Sequence, residues 1–103
     1  AMPDIGRVGG IQEAYDICTM AKTFDVPVSP HNFSSGVLLA ATAHLMFAVS
    51  NTELLEVDMS DNAVYHEFFP EPYRIENGFV FPSDRPGLGV ELSQDILELY
   101  SKN

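Results

Sequence analysis

The chain has 103 residues, 46% of them hydrophobic, which is enough to build one domain with its own core and excludes a disordered chain. Fifteen Asp and Glu residues against five Lys and Arg residues give a formal net charge of −10 at pH 7. A surface of this sign repels phosphates and anionic lipid headgroups, so we expect neither nucleic acid nor a membrane as a partner.

The first half of the chain predicts two helices with a strand between them. Residues 11–24 carry apolar side chains at the i, i+3, i+4 spacing of one helix face. Residues 26–29 are β-branched and flanked by proline, which predicts a short buried strand. Ser34 or Ser35 is a candidate N-cap for a second helix over 36–49. That helix is apolar almost throughout, so it should be covered on most sides.

The second half predicts shorter elements. Residues 54–57 form the next strand candidate, and 60–72, with two prolines and several aromatic residues, have the composition of a surface loop. Residues 73–81 contain two alternating runs around Asn77-Gly78, which is a strong hairpin signal. A short helix over 93–103 ends the chain.

The order of these elements predicts the fold class. Strands that alternate with helices indicate an α/β fold with βαβ units and parallel pairing. Residues 3–5 would be the end of an earlier strand. The single cysteine, Cys18, excludes an internal disulfide and is typical of a reducing compartment. With no signal pattern at its start and no apolar segment long enough to span a bilayer, the chain is expected to be soluble and cytoplasmic.

A polar residue stands at the end of each predicted strand. These residues are Asp4, His31 and Glu56, and each is separated from the next by about one strand-plus-helix unit. In a (β/α) barrel the corresponding strand ends converge on one face, where catalytic residues cluster. The spacing therefore suggests that the three side chains lie together.

Each residue also has a purely structural interpretation. A histidine after proline is commonly a turn residue, an aspartate before a glycine-rich turn is commonly a local cap, and a glutamate after two leucines commonly marks a strand edge. The residues alone leave both interpretations open. Of the other two histidines, His44 is expected to be structural and His66 is assigned no role.

The chemistry that such a trio could perform is proton transfer. An imidazole with a pKa near ~6.5 can act as acid or base around neutrality. Asp4 could fix the tautomer of His31 and stabilise its cation. Glu56 could accept a hydrogen bond from a substrate or, if protonated, donate one. Removing a proton from carbon next to a carboxylate usually also needs a metal, and no set of ligands with a clear metal-binding spacing stands in the sequence.

Four segments carry a family resemblance: PDIGRVGGIQEA, VPVSPHNFSSG, ELLEVD and IENGFVFPSDRPGLGVEL. In this order and spacing they resemble the C-terminal part of the mandelate racemase/muconate lactonizing enzyme family, in the enolase superfamily, over about 3–100. The resemblance implies one partial-barrel domain over 1–103. Residues 3–58 would correspond to the last two to three βα units, around barrel strands six to eight, and 59–103 to a loop, a β-hairpin and a short C-terminal helix.

The resemblance also implies roles for the three strand-end residues. His31, in Pro-His-Asn-Phe, matches the catalytic histidine that serves as general base or acid. Asp4, in Asp-x-x-Arg-x-Gly-Gly, matches the acid that pairs with it, and Glu56 matches the glutamate that hydrogen-bonds the substrate carboxylate. A His-Asp pair points to the racemase-like subgroup, which includes acid-sugar dehydratases. Family members hold Mg²⁺ on barrel strands three to five and close the site with a capping domain, and this chain matches neither segment.

Two functions follow as expectations. The first is the C-terminal part of a Mg²⁺-dependent enzyme that racemises or dehydrates hydroxy acids or acid sugars by α-proton abstraction, inactive alone and binding no Mg²⁺ alone. The second is a freestanding half-barrel that oligomerises and serves as a binding or interaction protein. Both predict a partner that covers the exposed strand edges, either a second copy or a complementing barrel fragment.

Overall fold

The computed structural model describes residues 1–101. Within these residues, five helices and one hairpin follow each other. They are α1 (Ile5–Val8), α2 (Ile11–Thr23), α3 (Gly36–Ala48), α4 (Ala63–His66), β1 (Ile75–Glu76), β2 (Phe79–Val80) and α5 (Gln94–Ser101). Over these described residues, none of the helices has the length and apolar character needed to cross a bilayer.

Helix α3 is the centre of the core. It begins where predicted, with the Ser35 hydroxyl accepting a hydrogen bond from the backbone N–H of Leu38 at 3.2 Å. Helices α1 and α2 pack on it, and their buried side chains form one cluster with those of α3. The members of this cluster are Ile5, Ala14, Cys18, Val28, Leu38, Ala41 and Leu45. The predicted inner stripe of α2 is only partly buried, because Ile11 and Tyr15 remain exposed.

The predicted strands pair in parallel only at isolated positions and do not form full strands. Val28 forms an isolated parallel bridge with Thr52. Its N–H donates to the carbonyl of Asn51 at 2.8 Å, and its carbonyl accepts from the N–H of Glu53 at 3.1 Å. The expected parallel pairing is therefore confirmed at Val28. The predicted strand over 54–57 is wrong, since that segment has no regular secondary structure and no ladder bonds in the described chain.

Residues 27–31 are also hydrogen-bonded on their other side. Ser29 donates to the carbonyl of Ala1 at 2.9 Å, and His31 donates to the carbonyl of Pro3 at 3.1 Å. Proline explains why these contacts do not become regular ladders. Pro3 and Pro30 stand where the next N–H donors of the two ladders would be, and proline has none.

The hairpin prediction is confirmed. Ile75 pairs with Val80 and Glu76 with Phe79 in antiparallel register. Asn77 and Gly78 have φ angles of 52° and 78°, the left-handed conformation that a tight hairpin turn requires.

The predicted surface loop over 60–72 is partly wrong, because it contains helix α4 and contributes to the interior. Tyr65 and Phe69 are buried against the N-terminus of α3. Gly36 permits this approach, since a Cβ atom there would lie 2.8 Å from the carbonyl oxygen of Tyr65. The chain is thus α/β with few strands, and α4 brings Tyr65 towards the ends of the parallel segments.

Candidate active site

Asp4 is both a helix cap and part of a side-chain cluster. Its Oδ1 accepts a hydrogen bond from the N–H of Gly6 at 2.8 Å and caps α1. Its Oδ2 contacts Nδ1 of His31 at 2.9 Å and Nε of Arg7 at 3.2 Å. One carboxylate oxygen therefore caps α1 as the local interpretation predicted, and the other contacts His31 and Arg7.

The surroundings of Asp4 favour its ionised form. Burial acts to raise the pKa of the carboxyl, but the hydrogen bonds from His31 and Gly6 and the positive charges of His31 and Arg7 act the other way. The result is a pKa below the ordinary value of 3.8. At neutral pH Asp4 is therefore a carboxylate that only accepts hydrogen bonds.

His31 is held in one orientation by this carboxylate. Because ionised Asp4 cannot donate, the proton of the neutral imidazole lies on Nδ1, and Nε2 is left as the basic nitrogen. Nε2 lies 4.0 Å from Oε2 of Glu56. The His31 side chain is 36% exposed and that of Glu56 is 39% exposed, so both can be reached from outside the chain.

Glu56 is brought to the site by an interaction that the sequence analysis missed. Its Oε2 accepts a hydrogen bond from the backbone N–H of Asn32 at 2.7 Å. The side-chain Nδ2 of Asn32 donates to the carbonyl of Glu56 at 2.9 Å and to the hydroxyl of Tyr65 at 3.1 Å. Burial raises the pKa of Tyr65, so its hydroxyl stays protonated. A polar residue directly after Pro-His at a strand end was the available signal for Asn32, whereas Tyr65 lay in a segment predicted as loop.

The other two histidines and Cys18 make no hydrogen bond to this cluster, although the His66 ring packs edge-on against the Tyr65 ring with centroids 5.1 Å apart. His44 is on α3 beside Phe47, with ring centroids 6.4 Å apart, and Nε2 of His66 contacts the carbonyl of Ser60 at 3.0 Å. Cys18 is buried in the core, and burial raises the pKa of its thiol. Within residues 1–101, no three His, Cys, Asp or Glu side chains are grouped so that they could hold a metal ion.

The structure thus places all three strand-end residues side by side. An imidazole with a free basic nitrogen, a carboxylate fixing its tautomer and a second carboxylate 4.0 Å from that nitrogen can move a proton to or from a bound molecule.

Comparisons with known proteins show the family to which the chain is similar. The model of the enolase C-terminal domain-like family matches residues 1–96. A D-galactonate dehydratase from Pectobacterium atrosepticum is 32% identical over 107 residues, which cover 98% of this chain and 28% of that protein.

Solved structures show the same similarity. A member of the enolase superfamily from Polaromonas sp. JS666 is 33% identical, with a TM-score of 0.85, over 95% of this chain and 26% of that one. A mandelate racemase/muconate lactonizing enzyme-like protein from Rubrobacter xylanophilus is 37% identical, with a TM-score of 0.82, over 92% of this chain and 24% of that one. The chain therefore spans about a quarter of the length of the proteins it matches.

Proposed function

Because the chain belongs to the enolase C-terminal domain-like family of the enolase superfamily, we propose that it is the C-terminal part of an enzyme that moves the α-proton of a carboxylate substrate. In this proposal residues 3–58 form the last βα units of a (β/α) barrel and carry the site. The residues after 58 follow as the loop, hairpin and helix of the same partial-barrel domain, as far as residue 101.

The observation that carries the proposal is the hydrogen bond between His31 and Asp4. It leaves the basic Nε2 of His31 on the open side of the site. As a base, Nε2 takes a proton from the carbon next to the substrate carboxylate. As an acid, the protonated ring returns a proton to carbon or delivers it to a departing hydroxyl group, which leaves as water.

Glu56 is proposed to bind the substrate rather than to carry the proton. Its carboxylate is fixed by one hydrogen bond and lies next to Nε2 of His31, so a substrate group held by Glu56 would also be within reach of the imidazole. Such shared positioning lowers the entropic cost of the proton transfer.

Acid-sugar dehydration is the first reaction to test. The Pectobacterium relative is a D-galactonate dehydratase, and its similarity extends over almost all of this chain. Racemisation of a hydroxy acid uses the same proton transfer and is the second reaction of the proposed class.

Enzymes of this superfamily generally use Mg²⁺, and the residues described here do not fit that ion. No group of three suitable side chains is present among residues 1–101, so no step is assigned to a metal on this chain. In the proposal, any Mg²⁺ is held by segments outside those described.

The proposal is tested by comparing the isolated chain with a chimera. The isolated chain is expected to show no dehydration of D-galactonate and no exchange of α-protons, with or without Mg²⁺. In the chimera, this chain replaces the segment that it matches in the Pectobacterium enzyme, and we expect dehydration. A folded chimera that binds D-galactonate but does not turn it over would contradict the proposed function.

Measurable activity of the isolated chain would contradict the first expected result, which is that this chain is inactive alone. If the 103-residue chain shows a rate that His31→Asn abolishes, then a complete site can assemble from copies of this chain, and the expectation of inactivity is wrong.

A specific observation favours oligomerisation as a second property. Helix α3, the segment after Thr52 and the hairpin surround a groove of about 500 Å³. Apolar side chains line it and remain exposed, with Leu54 75% and Phe79 68% accessible. Exposed apolar surface of this kind commonly marks an interface, and we propose that a second copy of the chain covers it.

Light scattering coupled to size-exclusion chromatography tests whether a second copy of the chain binds at this groove. We expect a dimer or larger assembly at micromolar concentration and a shift towards monomer for Leu54→Glu, since a charge in a buried apolar interface is strongly unfavourable. Met20→Glu, at an exposed apolar side chain on α2 away from the groove, is the control and should leave the assembly intact. A monodisperse monomer of the unmodified chain would reject this proposal.

A further inference from the structure

Asn32 is fully buried and contacts Glu56 at two points. Its backbone N–H donates to the Glu56 carboxylate, and its side-chain amide donates to the Glu56 carbonyl. The second amide hydrogen is directed at the hydroxyl of Tyr65. One residue, adjacent in sequence to His31, therefore holds both the main chain and the functional group of Glu56.

The orientation of the Asn32 amide is determined by its partners. The carbonyl of Glu56 can only accept a hydrogen bond, so the amide nitrogen must face it, and Oδ1 points away. Within the described chain, Oδ1 is buried and has no hydrogen-bond partner. Packing alone would be served better by an apolar side chain of this size, so the amide is best explained by the two bonds that it donates.

Glu56 needs such support because its own backbone is not held in a sheet. It lies in the irregular segment beyond the isolated bridge of Val28 with Thr52, where no ladder bonds continue in residues 1–101. The bond from Asn32 to the Glu56 carbonyl takes the place of the missing ladder. It keeps the Glu56 carboxylate at the N–H of residue 32 and beside Nε2 of His31.

We propose that Asn32 is a positioning residue, whose side-chain amide sets where the Glu56 carboxylate lies relative to His31. The inference rests on the proposed function for its catalytic meaning, because His31 and Glu56 must act on one substrate for their separation to matter. The position of the Glu56 carboxylate relative to His31 is a property of this chain alone and can be tested without any turnover.

The test is a double-mutant cycle read out by NMR on the full 103-residue chain. The amide proton of residue 32 reports the bond to the carboxylate, because a charge-assisted hydrogen bond differs strongly from a neutral one. We expect Glu56→Gln to shift this resonance in the unmodified chain. In the Asn32→Leu background, which keeps the number and branching of the side-chain heavy atoms but removes both donors, the same change should shift it little or not at all.

Matched controls separate positioning from general destabilisation. Tyr65→Phe removes one acceptor of the Asn32 amide but leaves the bond to Glu56, so Glu56→Gln should shift the resonance as in the unmodified chain. Hydrogen exchange at Ala14 and Cys18 monitors the core in every variant. If Glu56→Gln shifts the residue 32 resonance equally with asparagine and with leucine, Glu56 is held without the amide and the proposal is wrong.

The unmodified chain gives a decision even if Asn32→Leu does not fold. A scalar coupling across the bond from Asn32 Nδ2 to the Glu56 carbonyl carbon, with slowed exchange of the side-chain amide, is expected, and absence of both overturns the proposal. In the chimera, Asn32→Leu should lower kcat/KM by about 10²-fold through misplacement of Glu56. An inactive chimera would count against the proposed function, whereas the NMR results decide on Asn32.

Discussion

Replacing His31 with asparagine in the chimera is expected to lower kcat for dehydration by about two to four orders of magnitude, the usual contribution of a positioned acid or base. Asparagine can still accept or donate a hydrogen bond next to Asp4, but it has no group that gains and loses a proton near neutral pH. The loss should fall mainly on kcat, because Glu56 and the rest of the pocket remain to bind substrate. Steady-state kinetics with D-galactonate provide the measurement.

The control for this variant is His66→Asn. His66 is exposed on α4, where its Nε2 contacts the carbonyl of Ser60 and its ring packs edge-on against the ring of Tyr65. It makes no hydrogen bond to Asp4, His31 or Glu56, so the same substitution there should leave kcat within about twofold. A His31→Asn chimera that retains wild-type kcat, while His66→Asn behaves equally, would exclude His31 from the proton transfer. Circular dichroism of both variants shows whether the fold is kept.

The three longer helices, α2, α3 and α5, were predictable from the sequence because their signals are local. The apolar run after Ser35 and the capping hydroxyl lie within one turn of each other, and the structure places α3 and its cap where these signals predicted them. The Asn77-Gly78 turn is equally local, since it depends only on which residues tolerate a positive φ. Helix α1 was missed because four residues are too short for a periodic pattern.

The sequence predicted where the parallel segments lie along the chain, but not how far they pair with one another. Val28 pairs with Thr52 as expected, but strand length depends on which N–H groups are present and on which neighbours are there to accept them. Pro3 and Pro30 remove donors from the two ladders, and this could have been read from the sequence. The segment after Thr52 has no ladder partner within residues 1–101, and a single chain cannot indicate that in advance.

The site was likewise predictable only in part, because three of its residues follow from their spacing in the sequence and two do not. The spacing of Asp4, His31 and Glu56 predicted that the three side chains lie together, and the structure places Nδ1 of His31 2.9 Å from Asp4 and its Nε2 4.0 Å from Glu56. Asn32 and Tyr65 have no such period. Their contribution depends on a contact between the strand end and helix α4, which forms only because Gly36 lets α4 approach α3 closely.

Asp4 serves both the fold, as the cap of α1, and the proposed chemistry, as the partner of His31. Asp4→Asn in the chimera is expected to lower kcat by up to about 10⁴-fold, the loss that the same substitution causes in a Ser-His-Asp triad. The reason is a change of tautomer. If the asparagine Oδ1 keeps the cap on Gly6, its NH₂ group faces Nδ1 of His31, so the imidazole proton moves to Nε2 and the basic nitrogen is lost. Nitrogen NMR of the His31 ring distinguishes the two tautomers directly.

The same variant makes a prediction about stability that separates the electrostatic role of Asp4 from its role as a cap. Folding lowers the pKa of Asp4 below 3.8, so its ionised form stabilises the native state at every pH above the ordinary pKa. That contribution is lost as the pH falls through the lowered pKa. Urea unfolding of the isolated chain should therefore show a difference in the free energy of unfolding between wild type and Asp4→Asn that is largest above about pH 4 and shrinks on acidification.

The control is Asp61→Asn, at an exposed carboxylate, which should show a small difference at every pH. A wild-type advantage over Asp4→Asn that stays constant down to pH 2 would mean that the ionised carboxylate contributes nothing to folding, and that its bond to His31 is not charge-assisted.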